Sequence, residues 1–198
     1  MQLEPKKETI DRNNDHISVN EEATTPAAPA KEVILRRAEH SIRGLANWIL
    51  DFADEVEIDI TNMALNKLAF FAYEAYLLRK RTILTNAKIE AWEHGPVFRE
   101  IYQDFKAWGD KPIRGRCSFY SVETDAVETP KLVLPDEENQ ELRTALAPLL
   151  RLSASKLREL SHIEGGAWYR VWWHSGYANP GMEITFQDIL ETHNPTER

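Results

Sequence analysis

Thr61-Asn-Met-Ala-Leu-Asn-Lys-Leu-Ala-Phe-Phe-Ala-Tyr-Glu-Ala-Tyr-Leu-Leu-Arg79 decides the fold. A side-chain oxygen at Thr61 or Asn62 can accept from a free N–H of the first turn, so the spacing predicts a helix from that cap to about Arg79. Leu65, Leu68, Ala69, Ala72, Ala75 and Tyr76 share one face. Phe70, Phe71, Leu77 and Leu78 make a second apolar surface. A helix that is apolar nearly all round belongs at the centre of a fold, with the rest of the chain as its cover.

The covering elements are legible on both sides. Upstream, Ile42, Leu45, Ala46, Ile49 and Phe52 recur at helical spacing over Ala38 to Ala53, with Arg43, Asn47 and Asp51 assigned to the polar side. Downstream, Gly95-Pro96 breaks regular structure and opens a helix over about Val97 to Trp108, closed by Gly109 as a left-handed cap. Between Lys111 and Asp136 the period changes, and Cys117–Val122 and Pro130–Pro135 read as two short strands of a small hairpin. Asp136 then caps a helix from Glu137 to about Leu150, which Pro148 should kink or shorten. Leu152 and Leu157 form a hydrophobic staple around a Ser153 cap, and the helix they open runs to about Ile163, before Gly165-Gly166. Ala167–Trp173 follows as a helical turn, Gly176, Pro180 and Gly181 mark a loop, and Thr185-Phe-Gln-Asp188 matches a capping box for a last helix ending near Thr192. The expected fold is mainly α with a small antiparallel β-hairpin, an α+β chain forming one compact helical domain over residues 38–194.

Residues 1–37 differ in kind. Pro5, Pro26, Pro29 and Asn13-Asn14 punctuate them, and no Phe, Tyr or Trp occurs before Trp48. Such a segment cannot bury enough apolar surface to offset its ordering entropy, so it is expected to be a disordered tail, either a solubilising leader or a docking segment.

Composition excludes several function classes. The net charge of −8 repels phosphate backbones and anionic lipid at long range, which argues against nucleic acid as a partner. Cys117 is the single cysteine, so there is neither an internal disulfide nor a cysteine zinc cluster, and a reducing, cytoplasmic setting is expected. No run of about 18 uncharged apolar residues occurs, and the first ten residues carry Glu4, Lys6, Lys7 and Glu8, so neither a membrane span nor a secretion signal is expected. Phosphate-binding glycine loops, the nucleophile elbow and His-Glu-x-x-His are likewise missing. His162-Ile-Glu164 alone resembles half of a deaminase zinc motif, but the Pro-Cys-x-x-Cys half is missing. A hydrolase built on His162, Glu164 or Cys117 therefore has no positive support, and neither cofactor nor metal is expected.

Leu65-Asn-Lys-Leu-Ala-Phe-Phe-Ala-Tyr73, Glu90-Ala-Trp-Glu-His-Gly-Pro-Val-Phe-Arg-Glu-Ile-Tyr102 and Leu152-Ser-Ala-Ser-Lys-Leu-Arg-Glu-Leu-Ser-His-Ile-Glu-Gly-Gly-Ala-Trp168 occur in this order. Together they resemble the three signature blocks of the Panacea domain, the SocA-like antitoxin family often found in phage and prophage regions. The resemblance covers roughly Ala38 to Leu190. It implies a cytoplasmic, non-enzymatic antitoxin that neutralises a cognate protein toxin encoded nearby by direct contact, and in one branch of the family the antitoxin also delivers the toxin to a protease. Two departures stand out: the tail lies outside the domain, and Leu78-Arg-Lys-Arg-Thr82 lacks the glycine expected after the second helix. The alternative is a mobile-element adaptor or regulatory protein that binds a host protein or nucleic acid without a cognate toxin.

The partner-binding candidates are Lys67, Trp92, His94, Gly95, Pro96, Val97, Arg99, His162, Trp168, Tyr169 and Trp173. The Glu93–Val97 turn either presents Trp92 and His94 rigidly as a recognition surface or packs Trp92 into the core. Lys67, amid apolar neighbours, would pair with Glu74 or another acid, or snorkel to the surface. Of the aromatic cluster, either Trp168 with Trp172 or Tyr169 with Trp173 should be core and the other pair a contact surface. Arg79-Lys-Arg81 and Lys111–Arg116 are two basic runs that would form a local patch if the fold joined them.

Overall fold

The computed structural model describes residues 40–193. Among these residues there are seven α-helices and two antiparallel two-stranded hairpins, so the mainly helical expectation holds, with one hairpin more than predicted. No helix among them is long and apolar enough to cross a membrane.

The second helix, α2 (Asn62–Lys80), is the axis. Thr61 caps it by accepting from the Ala64 N–H, and Leu65, Leu68, Ala69, Ala72 and Leu77 are fully buried. At its other end Arg81 takes φ 52° and ψ 36°, the left-handed cap position where the sequence lacks its expected glycine. An arginine therefore carries the strain that a glycine would remove.

Around this axis pack α1 (Ile42–Glu55), α3 (Arg99–Phe105), α4 (Asp136–Leu150), α5 (Ala154–Ser161) and α7 (Phe186–His193), while α6 (Ala167–Trp172) packs on α7. Ser41 caps α1, and Ser153 caps α5 by accepting from the Lys156 N–H. Thr185 and Asp188 form the predicted reciprocal box at the start of α7, the Thr185 N–H donating to Asp188 at 2.8 Å and the Asp188 N–H to Thr185 Oγ1 at 3.2 Å. In α4 the expectation shifts by one residue: Pro135 holds the cap position, and Asp136, Glu137 and Glu138 crowd the first turn, where carboxylates suit the helix dipole. Pro148 sits inside α4, and the helix runs on to Leu150.

Asn47 is not on a polar face. It is 3 % exposed, donates to the carbonyls of Cys117 at 3.0 Å and Pro130 at 2.9 Å, and accepts from the Cys117 N–H at 2.7 Å. Gly44, one turn earlier, lets this segment approach, since a Cβ there would stand 2.9 Å from the Lys131 carbonyl. These contacts explain why Pro130–Pro135 is no strand: its backbone is held against α1, with Leu132 in the core. The second hairpin instead pairs β3 (Phe119–Ser121) with β4 (Ala126–Glu128), because Asp125 at φ 54° turns the chain back early.

Lys88–Val97 also departs from expectation. Rather than a turn that leads into a helix, it forms a hairpin of β1 (Ile89–Trp92) and β2 (Gly95–Phe98), with Ile89 opposite Phe98 and Trp92 opposite Gly95. The free edge of β1 is covered by residues 181–184: the Ala91 N–H donates to the Met182 carbonyl at 2.8 Å and the Ile184 N–H to the Ile89 carbonyl at 2.8 Å. The pairing takes Val97 and Phe98 into the strand, so α3 starts at Arg99 and gives way to a tight 3₁₀ turn, Lys106–Trp108. Gly109 has φ 57° but ψ −125°, outside the left-handed helical well predicted for it.

Candidate functional site

α2 carries Lys67 beneath the β1–β2 hairpin. The side chain is 1 % exposed and its Nζ donates to the Pro96 carbonyl at 2.8 Å. It pairs with no carboxylate among the described residues, and Glu74, the partner considered from sequence, instead meets His193 at 3.0 Å. Burial away from water, reinforced by the positive charge of Arg158, pulls the Lys67 ammonium down to about 7.

Gly95 makes this passage possible. Its φ is +101°, and a Cβ there would lie 2.6 Å from Ser161 Oγ, 2.8 Å from Lys67 Cε and 3.0 Å from His162 Cε1. Only a residue without a side chain lets the hairpin close over both α2 and the end of α5. His162, which caps α5, then spans the gap, with Nδ1 2.6 Å from the Arg158 carbonyl and Nε2 3.2 Å from the Glu93 carbonyl. Burial lowers its pKa, and the charges of Arg158 and Lys67 act in the same direction against the two carbonyl contacts.

Trp168 completes the junction from α6. It is 4 % exposed, donates from Nε1 to the Trp92 carbonyl at 2.9 Å, lies with its ring 3.7 Å from His162 and stacks on Trp172 at 5.5 Å. Trp92 is half-buried, donates to Glu90 at 2.9 Å and meets Tyr102 edge-on at 4.9 Å. Arg99 reaches the same Glu90 at 3.6 Å from the solvent side. Two asparagines missed by sequence reasoning tie these parts to α2: Asn66 accepts from the Phe98 N–H at 3.1 Å, and Asn62 donates to the Tyr102 carbonyl at 3.2 Å. Their spacing of four residues on the central helix was the available signal.

Lys67, Trp92, Gly95, Pro96, His162 and Trp168 therefore meet at one place. Val97 and His94 flank it, His94 exposed, and together with Lys67, Trp92, Met63 and Tyr102 they line a cleft of about 400 Å³. Tyr169 and Trp173 do not join. Trp168 is buried and Trp172 half-buried against the core; Tyr169 is also half-buried there, whereas Trp173 is 45 % exposed. Beyond Trp173 the loop exposes Tyr177 and Met182 as well, and Asn179 holds its turn by donating to the Tyr177 and His174 carbonyls.

Other sequence candidates separate. Cys117 is buried, and desolvation followed by the nearby Asp104 carboxylate pushes its thiol up to about 12, far from a working thiolate. No three His, Cys, Asp or Glu side chains converge as a metal site among the described residues. The two basic runs do not meet. Lys80 at the end of α2 pairs with Glu141, whereas Arg114 pairs with Asp59 and Arg116 with Asp51 and Asp54 near the start of that helix. A helix of 19 residues keeps such ends about 28 Å apart.

All three convergent segments lie within residues 65–169, the span matched by the family model described as "Antitoxin SocA-like, Panacea domain". The chain belongs to the SocA-like antitoxin family. Antitoxin SocA of Caulobacter vibrioides (strain NA1000 / CB15N) is 35 % identical over 130 residues, covering 64 % of this chain and 67 % of that protein. No solved structure matches. The Panacea match runs from α2 to α6, so α1 and α7 lie outside it. What the matched span holds together is the junction of Lys67, the Gly95-Pro96 turn and the His162–Trp168 segment. Membership points to a toxin–antitoxin role.

Proposed function

We propose that this chain neutralises a cognate protein toxin, encoded nearby, by binding it directly and covering its working surface. Membership in the SocA-like antitoxin family carries the reading, supported by the resemblance over 130 residues to a protein named as an antitoxin. The role requires a preformed surface rather than catalysis, and the junction under Gly95 supplies the rigidity. Side chains already fixed in the free protein lose little entropy on binding, so a few exposed aromatic and basic anchors can supply most of the affinity. Trp173, Tyr177, His94 and Arg99 are exposed groups close in sequence to the junction segments, and they are the assigned contacts. Residues 38–194 form the binding domain, with residues 1–37 as its accessory, acting in the cytoplasm where Cys117 stays reduced. Transfer of the bound toxin to a cytoplasmic protease is a second use of the same contact.

The net charge of −8 and the pairing of Arg114 and Arg116 with carboxylates argue against the nucleic-acid arm of the adaptor alternative. Co-expression with the neighbouring open reading frame tests the proposal. Growth rescue together with co-purification of the two products is expected. A harmless neighbour that does not bind would return the chain to the adaptor role, with the fold kept and the function lost.

A further inference from the structure

Lys67 poses a problem of charge. Its ammonium has three N–H donors, of which the Pro96 carbonyl takes one, and it makes no ion pair with a carboxylate among the described residues. The charged groups that do act on it are cationic or titrate as cations: Arg158 and His162. A buried lysine without a counter-charge is costly in the free protein, and buried titratable groups of this kind cluster at functional sites. The side chain also lines a cleft of about 400 Å³, within the range of ligand-sized sites, whose walls are Met63, Val97, Trp92 and Tyr102.

We propose that this cleft is an anchoring pocket for a carboxylate side chain, aspartate or glutamate, presented by the protein partner, with the apolar walls holding its methylene stem and Lys67 its charge. The identity of the partner rests on the antitoxin reading; the chemistry of the pocket does not. Three features select this occupant. Charge complementarity calls for an anion at Lys67. Exposed Glu93 and Asp110 at the lining disfavour a phosphate dianion or a nucleic acid but tolerate one carboxylate. Exposed His94, Tyr102 and Lys106 rim the opening, so a protein surface can lie across it while a single side chain enters. Ion pairing there would offset the repulsion between Lys67 and Arg158, a gain realised only in the complex.

The test uses the full chain and short capped peptides, followed by NMR of the Trp92 indole and the Val97 amide. Acetyl-Ala-Glu-Ala-amide should shift both, and the Gln counterpart should bind about tenfold more weakly or not at all. In Lys67→Met the Glu and Gln peptides should become equivalent. Because the Glu–Gln comparison is made on the unmodified protein, it stands even if that variant fails to fold. Equal binding of both peptides overturns the charge anchor. Preference for acetyl-Ala-Gln-Ala with a free C-terminal carboxylate overturns the side-chain assignment in favour of a chain end, and preference for a phosphoserine peptide overturns the carboxylate. No shift with any peptide overturns the pocket itself. If toxin rescue then persists, the antitoxin reading survives without it; if the pocket binds but the neighbouring product does not, only the toxin assignment fails.

Discussion

The Lys67 ammonium donates to the Pro96 carbonyl at 2.8 Å, running beneath Gly95 to do so. With the hydrogen bond from the Phe98 N–H to Asn66, this contact links the central helix to the hairpin, and the same glycine admits Ser161 and His162 from the end of the fifth helix. The Leu-Asn-Lys-Leu, His-Gly-Pro-Val and Ser-His-Ile-Glu-Gly-Gly segments, far apart in the chain, are thereby parts of one packed object.

Gly95→Ala should therefore cost stability twice, through the positive φ and through collision with Ser161 and Lys67, for a loss of about 3 kcal/mol in urea unfolding. Gly165→Ala makes the control. Its φ is +77°, but no atom stands within 4 Å of the new Cβ, so only the conformational part, about 1 kcal/mol, is expected.

Lys67 predicts a pH dependence of definite sign. It titrates near 7 in the folded chain against 10.5 when unfolded, so between these values the unfolded state holds the extra proton and folding stability rises with pH. Below pH 7 both states are protonated and the full burial penalty remains. Melting of the wild type relative to Lys67→Met, followed from pH 6 to pH 10, should show the wild type gaining a few kcal/mol on the variant as pH rises. A constant difference would mean that Lys67 stays charged throughout.

Arg81 occupies a left-handed cap at φ 52°, and its side chain is exposed. Arg81→Gly removes the steric penalty and no packing, so thermal unfolding should show a gain of up to about 1 kcal/mol.

The aromatic cluster should divide cleanly. Trp168→Ala removes a buried ring and its bond to the Trp92 carbonyl, for a loss of about 3–5 kcal/mol. Trp173→Ala, at a ring 45 % exposed, should leave stability within about 1 kcal/mol and weaken toxin binding about tenfold or more, as read by calorimetric titration.

Sequence periodicity located the helices because each buries apolar positions: of the residues singled out in Asn62–Lys80, Leu65, Leu68, Ala69, Phe70, Ala72, Tyr76 and Leu77 line the core, whereas Phe71, Ala75 and Leu78 are half-buried, and Ala64 and Tyr73 are buried outside the pattern. Caps at Thr61, Ser153 and Thr185 were legible for the same local reason. The hairpins were not. Strand pairing at Ile89–Phe98 depends on Gly95 closing over distant side chains, and the loss of strand at Pro130–Pro135 depends on Asn47 from the first helix. Both are long-range contacts that no local pattern encodes. Likewise the burial of Lys67 followed from the hairpin above it, so its sequence neighbours suggested a surface or paired lysine instead. His162 falls at the end of the helix predicted to run to about Ile163, but its reach to Glu93 became visible only in three dimensions.

Stoichiometric neutralisation is the central claim, and titrating the purified chain into a fixed amount of the neighbouring gene product, with the toxin's inhibitory activity as readout, tests it most directly. Inhibition should fall linearly and vanish at a fixed molar ratio, with Trp173→Ala needing more protein. Suppression by far less than one equivalent would indicate turnover instead of binding, and an undiminished toxin at excess would contradict neutralisation outright.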